Sequence, residues 1–111
     1  MTTAQRLFAV QEAANYSDPD AFVSDLLLSA AFLPPEEDAE PDLSEADPLR
    51  MIWTAVCAPF RSFLEALGIT QSQCSRRFSI PLRTVQGWAL GERSCPVYVR
   101  LMMAEIIRRG W

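Results

Sequence analysis

An acidic, proline-rich segment interrupts this chain and limits how its apolar residues can share a core. Residues 34–48 contain four prolines and seven acids, with almost no core-forming side chains. Such a composition cannot bury enough apolar area to offset the entropy lost on ordering. We therefore predict an extended linker here, acting either as a solvated tether or as an imitation of a phosphate backbone. It would separate an amino-terminal segment (1–33) from a carboxyl-terminal domain (49–111).

Charge is divided at the same place. Eleven of the fourteen acids and one of the ten arginines precede Arg50, which gives the first 49 residues a net charge of −10. Nine arginines and three acids give the remaining 62 residues a net charge of +6, although the whole chain carries only −4. A basic pole carried on helices indicates a surface that meets a polyanion.

Composition argues against several other classes of protein. The chain has no histidine, and its three cysteines have no short paired spacing, so we expect no metal site, no disulfide framework and no cofactor. We expect no catalytic residues either, because nothing is placed to activate a serine or cysteine nucleophile. The longest apolar run, residues 21–33, is too short for a bilayer span, and the reduced cysteines fit a cytoplasmic protein without a signal peptide.

Apolar spacing predicts two helices before the linker. The first covers residues 3–16, with Leu7 and Ala14 among its periodic positions. The second covers residues 20–33, with Asp18 as its cap and Pro19 in its first turn. The wide apolar arc of this second helix must be covered by the first helix, by the basic domain or by a second copy of the chain.

Helical spacing returns after Pro48 and is interrupted at defined residues. We expect a new helix to start at Pro59 and to end at Gly68. Residues 70–73 fit a capping box that opens a short helix over 71–78. A break at residues 79–81 follows, and a second short helix covers 82–90 and closes at Gly91.

The second short helix has two different faces. We expect Val85 and Trp88 to point inward, and Arg83, Gln86 and Gly87 to point away. Two short helices joined by a tight turn, with arginine and glutamine exposed on the second, fit a helix that enters the major groove. A last helix should be capped from residue 94, with an apolar stripe at Val97, Tyr98, Leu101, Met102, Ile106 and Ile107.

The segment LGITQSQCSRRFSIPLRTVQGWALGER resembles the helix-turn-helix core of the phage repressor and Cro-type family. The resemblance covers roughly residues 60–107, under half of the chain. It implies an all-α fold with a repressor-like helix-turn-helix domain of four to five helices, here preceded by an amino-terminal helical pair. It also implies that the partner is double-stranded DNA.

The resemblance assigns roles within this segment. It implies that Gln71 contacts the DNA backbone, that Arg83 and Gln86 read base edges, and that Thr84 contacts backbone or base. An arginine fork can engage guanine and a glutamine amide can pair with adenine. By their chemistry, Leu82 suits a thymine methyl group, and three flanking arginines suit phosphates, namely Arg76, Arg77 and Arg93.

The chain departs from the family at several positions. Ala89 and Leu64 stand where relatives often carry a paired acid and arginine, so both positions are apolar together. Ser79 occupies a turn position where glycine is common because positive φ is tolerated best there. Gly87 stands where many relatives place a polar base reader.

These observations predict a sequence-specific DNA-binding transcriptional regulator of the repressor type. We expect a homodimer whose recognition helices lie about 34 Å apart on a pseudo-palindromic site, with the amino-terminal pair as a dimer or protein contact. The alternative is a phage-type protein inhibitor such as an anti-CRISPR protein, or an antitoxin. In that case the acidic residues 1–48 would bind a protein partner.

Overall fold

The computed structural model describes residues 1–110, and every regular element in that range is helical. The α-helices are α1 (Thr3–Ala13), α2 (Pro19–Leu27), α3 (Ala46–Cys57), α4 (Phe60–Leu67), α5 (Gln71–Phe78), α6 (Leu82–Leu90) and α7 (Val97–Arg108), with a short 3-10 helix at Leu43–Glu45. The predicted all-α class is confirmed. Within residues 1–110, no helix has both the length and the apolar character needed to cross a membrane.

The chain divides into two compact units, Met1–Cys57 and Ala58–Trp111. We had placed the start of the carboxyl-terminal domain at residue 49, which would have put α3 in it. Instead α3 packs against α1 and α2. Leu49 on α3 is buried in the same core as Phe22 on α2. The apolar arc of α2 is therefore covered by α3, inside the first unit.

Polar contacts hold α3 beside the neighbouring helices of the first unit. The indole of Trp53 donates a hydrogen bond to the carbonyl oxygen of Tyr16 at 2.9 Å. The thiol of Cys57 donates to the carbonyl oxygen of Ala13 at 3.3 Å. Both acceptors lie at or just after the end of α1, so the carboxyl-terminal half of α3 is fixed there.

The predicted second helix is shorter than its apolar spacing indicated. Its start is as expected, since the carboxylate of Asp18 accepts the amide of Asp20 at 3.2 Å. Its end falls at Leu27 instead of residue 33. The hydroxyl of Ser29 bonds the carbonyl oxygen of Leu26 at 2.6 Å and so satisfies a group at the helix end. The prolines at 34 and 35 also disfavour helical backbone immediately before them.

The first helix differs from the prediction in length and in its most deeply buried residues, although Phe8 and Val10 pack against the core as their spacing predicted. It ends at Ala13 and not at residue 16, and its buried residues are Ala9 and Ala13. Leu7, which we expected in the core, is exposed. Small alanines face α3, and they allow two helices to approach closely.

The predicted extended linker is partly helical. Residues 34–42 form turns and irregular backbone, but α3 begins at Ala46, so Pro48 lies in its first turn. Proline is tolerated there because the amides of a first turn have no intrahelical acceptor. The approach to α3 is fixed by Asp42, which accepts the Ser44 amide at 3.0 Å, and by Glu45, which pairs with the amino terminus at 3.0 Å.

The second unit begins with the helix start predicted at Pro59. Pro59 is the N-cap of α4, and Gly68 ends that helix in the left-handed conformation with φ of 74°. α5 and α6 have the predicted bounds of 71–78 and 82–90. The buried side chains of this unit include Phe63, Leu64, Cys74, Val85 and Met103.

The last helix presents a different face to the core from the one predicted. Arg100 and Met103 are its buried residues, whereas Tyr98 and Met102 are exposed. The helix begins after Pro96 with no side-chain cap, so the serine at 94 does not cap it. Arg100 can be buried because its guanidinium donates a hydrogen bond to the carbonyl oxygen of Ala58 and lies 4.9 Å from the centroid of the Phe63 ring.

Candidate nucleic-acid interface

The turn between α5 and α6 is closed by hydrogen bonds on both sides. Ser79 takes the left-handed conformation with φ of 53° and ψ of 44°. The amide of Ile80 donates to the carbonyl oxygen of Ser75 at 3.0 Å, and the hydroxyl of Ser75 donates to the carbonyl oxygen of Ile80 at 2.6 Å. Position 79 therefore has the positive φ that was expected of this turn, although its residue is a serine.

The start of α5 is fixed by the predicted capping box. The hydroxyl of Thr70 accepts the amide of Gln73 at 3.1 Å, and the side chain of Gln73 accepts the amide of Thr70 at 2.8 Å. Gln71 is therefore the first residue of a well-defined helix, and it is half-buried. Its predicted contact with the DNA backbone stays a prediction.

α6 separates its core residues from its polar ones. Val85 is fully buried, and Trp88 is half-buried with its ring edge-on to Phe60 at a centroid distance of 5.3 Å. Arg83 and Gln86 are exposed, as predicted for base-reading residues.

The other two residues of α6 that were predicted to contact DNA, Leu82 and Thr84, differ in their exposure. Leu82 has an exposed fraction of 41%, which leaves an apolar surface at the start of the helix. Thr84 is half-buried, and its amide donates to the carbonyl oxygen of Pro81 at 2.9 Å. Thr84 is thus less accessible than Arg83, and its predicted contact stays a prediction.

Gly87 differs from the expectation that it would point away into solvent. It lies one helical turn after Arg83, on the same face, but it is buried. A Cβ atom placed on Gly87 would lie 3.9 Å from Cδ of Arg93. The side chain of Arg93 therefore lies against the helix where a side chain at position 87 would project.

The backbone after α6 holds Arg93 in this place. Gly91 ends the helix in the left-handed conformation with φ of 77°. The amides of Glu92 and Arg93 then both donate to the carbonyl oxygen of Gly87, at 3.0 and 3.3 Å. The chain folds back on the last turn of α6, so Arg93 is tied to Gly87 by its backbone as well as by its side chain.

The exposed arginines fall into two groups according to their partners. Three of them form ion pairs with carboxylates: Arg50 with Asp20, and both Arg108 and Arg109 with Glu105. Five exposed arginines have no carboxylate within ion-pair distance among residues 1–110, namely Arg61, Arg76, Arg77, Arg83 and Arg93. Four of these lie on α5, on α6 and in the loop after α6, and they are the arginines for which DNA contacts were predicted. The fifth, Arg61, lies on α4, and no DNA contact was predicted for it.

A shallow depression lies at the junction of α4 and α5. Its volume is about 460 Å³, and it is lined by Gly68, Ile69, Gln73, Arg76 and Arg77. The depression is open to solvent and has two guanidinium groups at its rim. It can accommodate a hydrated anion such as a phosphate group, whereas a buried small molecule would need closed apolar walls.

The cysteines have the character of core residues. Cys74 and Cys95 are buried in the second unit, and burial raises the pKa of Cys74 and raises that of Cys95 to about 11. Both are protonated thiols near neutral pH, which disfavours metal binding and nucleophilic attack. Within the described part of the chain, no three cysteine or carboxylate side chains are grouped so that they could hold a metal ion.

Arg100 is the residue of this unit whose place the sequence reasoning missed. It was counted with the basic pole, but it is buried against the ring of Phe63.

Comparisons of the chain with protein-family models, with curated proteins and with solved structures found no match. The resemblance to the phage repressor and Cro-type family therefore stays an expectation based on the residues of the motif.

Proposed function

We propose that this protein is a sequence-specific DNA-binding regulator of the repressor type, and that α6 is its recognition helix. The observation that carries the proposal is the exposed face of α6, where Arg83 and Gln86 project without a carboxylate partner among residues 1–110. α5 precedes it across a hydrogen-bonded turn, which is the arrangement that helix-turn-helix proteins use to place a helix in the major groove.

The chemistry of this face suits base recognition. The guanidinium of Arg83 can donate two parallel hydrogen bonds to O6 and N7 of guanine. The amide of Gln86 can donate to N7 and accept from N6 of adenine. The half-exposed Leu82 offers a surface for the methyl group of thymine. These side chains lie along the first part of α6, and that end of a recognition helix contacts base edges.

We assign phosphate contacts to residues outside the exposed face of α6. Arg76 and Arg77 lie at the rim of the open depression, and Gln71 begins α5. Such contacts fix the position of the protein on the duplex without selecting a sequence. Each neutralised phosphate also makes the affinity depend on salt through the release of counterions.

The dimer contact needs a place other than the one that the sequence indicated. We assigned it to the amino-terminal helices because the apolar arc of α2 lacked a cover, but α3 provides that cover. On α7 of the DNA-binding unit, Tyr98 and Met102 are exposed to 68% and 58% and lie one turn apart. A two-fold pair brings the same patch of both copies together, so we assign the homodimer contact to this face.

The test is selection of bound duplexes from a pool with a randomised central region, followed by titration of the selected duplex. Arg83→Ala should weaken binding to the selected duplex by about 1–3 kcal/mol and relax the preference at one base pair. Arg61→Ala is the matched control, because it removes the same charge from an exposed residue on α4 to which no DNA contact is assigned. Equal losses for the two variants on selected and random duplexes would contradict base reading by Arg83.

A second candidate function is supported by the charge of the first unit. Residues 1–57 form a compact unit in which eleven acids face only two arginines, a net charge of −9. Such a surface could occupy the nucleic-acid groove of another protein, as an inhibitor or antitoxin would, and the second unit would then regulate only its own gene. A protein that selects no DNA sequence but forms a stable complex with a basic nucleic-acid-binding protein would favour this function.

A further inference from the structure

The contact between Gly87 and Arg93 gives α6 a side chain that is not part of the helix. Cδ of Arg93 lies 3.9 Å from the position of a Cβ atom on Gly87. The amides of residues 92 and 93 are hydrogen-bonded to the carbonyl oxygen of Gly87. Arg93 itself is exposed, so its side chain is accessible to a ligand.

The position of this contact along α6 decides what Arg93 can reach. Gly87 follows Arg83 by four residues, so the two lie on one face about 6 Å apart along the helix axis. Successive base pairs in a duplex are separated by about 3.4 Å. An arginine whose stem packs on Gly87 can therefore reach base pairs about two steps from those addressed by Arg83.

We propose that Arg93 is a third base-reading side chain, one that the loop after α6 supplies in place of a reader at position 87. The inference rests on the proposed function of α6 and changes the role first expected for Arg93, which was a phosphate contact. Gly87 is needed because a larger side chain there would occupy the volume that the stem of Arg93 fills. Arginine suits the role because its planar fork recognises guanine, whereas a lysine is a point charge without that geometry.

The first test uses the full-length protein and the same randomised duplex pool. Arg93→Ala should remove the preference at one base pair, different from the one that Arg83→Ala relaxes, with about a 5- to 150-fold loss of affinity for the selected duplex. Arg93→Lys keeps the charge but loses the fork, so it should lose the same preference and retain the affinity for random duplex. If Arg93→Lys keeps the wild-type preference, or if Arg93→Ala weakens selected and random duplexes equally, Arg93 is a phosphate contact and the inference is wrong.

The glycine provides an independent test. Gly87→Ala places a methyl group at an ordinary van der Waals distance from Arg93, so the preference should stay as in the wild type. Gly87→Leu should displace Arg93 and abolish the preference that Arg93→Ala abolishes, with circular dichroism showing that both variants remain folded. A Gly87→Leu variant that keeps this preference would overturn the inference. If the wild-type protein selects no sequence at all, the proposed function itself fails, and this outcome is distinct from failure at position 93 alone.

Discussion

Replacement of Ser79 by glycine tests whether the turn before α6 has the described geometry. Ser79 has φ of 53°, and it is the one residue other than glycine with positive φ among residues 1–110. A left-handed conformation costs a residue with a Cβ atom about 1–2 kcal/mol. Glycine loses more backbone entropy on folding, which offsets about 0.4–1 kcal/mol of that gain. We therefore expect Ser79→Gly to stabilise the second unit by about 0.5–1 kcal/mol.

The stability of the second unit can be followed by urea unfolding. Fluorescence of Trp88 reports on this unit in a background where the tryptophans at 53 and 111 are replaced by phenylalanine. In thermal unfolding, a gain of about 0.5–1 kcal/mol in stability corresponds to a rise of about 2–8 °C in Tm for a unit of this length. Ser62→Gly is the matched control, because Ser62 is exposed within α4 and glycine there should destabilise by about 0.5–1 kcal/mol. If both glycine variants lower the midpoint, the left-handed turn at Ser79 is wrong.

Other predictions concern charge and association. The two arginines that follow Glu105 in α7 donate hydrogen bonds that lower the pKa of its carboxyl to about 2 from 4.5, so it stabilises the fold above pH 4.5 and loses that effect as the pH falls towards 2. The stability difference between wild type and Glu105→Gln should therefore shrink over this interval, and a constant difference would contradict the pairing. Tyr98→Glu should convert a dimer to a monomer in sedimentation, whereas Leu43→Glu, exposed to 72% in the first unit, should not. Replacing the three exposed acids at 36–38 by amides should tighten binding to random duplex at low salt, because it reduces repulsion between this segment and DNA. An unchanged affinity would show that the segment does not repel bound DNA.

Local sequence predicted the bounds of α5 and α6 well. The bounds of α5 and α6 follow from features within a few residues of each end: the capping box at Thr70, the proline at 81 and the left-handed Gly91. Such features act on the backbone directly, whatever packs against the helices. The exposure of Arg83 and Gln86 followed from helical periodicity in the same way.

Elements whose bounds or faces depend on tertiary packing were predicted less well. The acidic composition of residues 34–48 gave no indication that α3 begins inside this segment at Ala46. The buried face of α1 was predicted only in part, because its fully buried residues are small alanines, and apolar periodicity gives most weight to large side chains. The same weighting led to the wrong face of α7, because the large side chains of Tyr98 and Met102 are exposed.

Two side-chain placements depended on contacts between residues distant in sequence. Arg100 is buried because the carbonyl oxygen of Ala58 and the ring of Phe63 receive its guanidinium, and neither partner is close to it in the chain. The covering of Gly87 by Arg93 depends on the reversal of the chain at Gly91. A glycine on the polar face of α6, followed six residues later by arginine, is the one sequence feature that could have indicated it.

The affinity of the wild-type protein for its selected duplex, relative to a scrambled duplex of the same base composition, tests the central claim most directly. Fluorescence anisotropy at several salt concentrations gives both affinities. Sequence reading by α6 predicts a ratio of about 10³ or more at physiological salt. Substitution of Arg83 should reduce this ratio, and substitution of Arg77 should instead lower the salt dependence by roughly one unit of slope. A ratio near one at every salt concentration would contradict the proposed function.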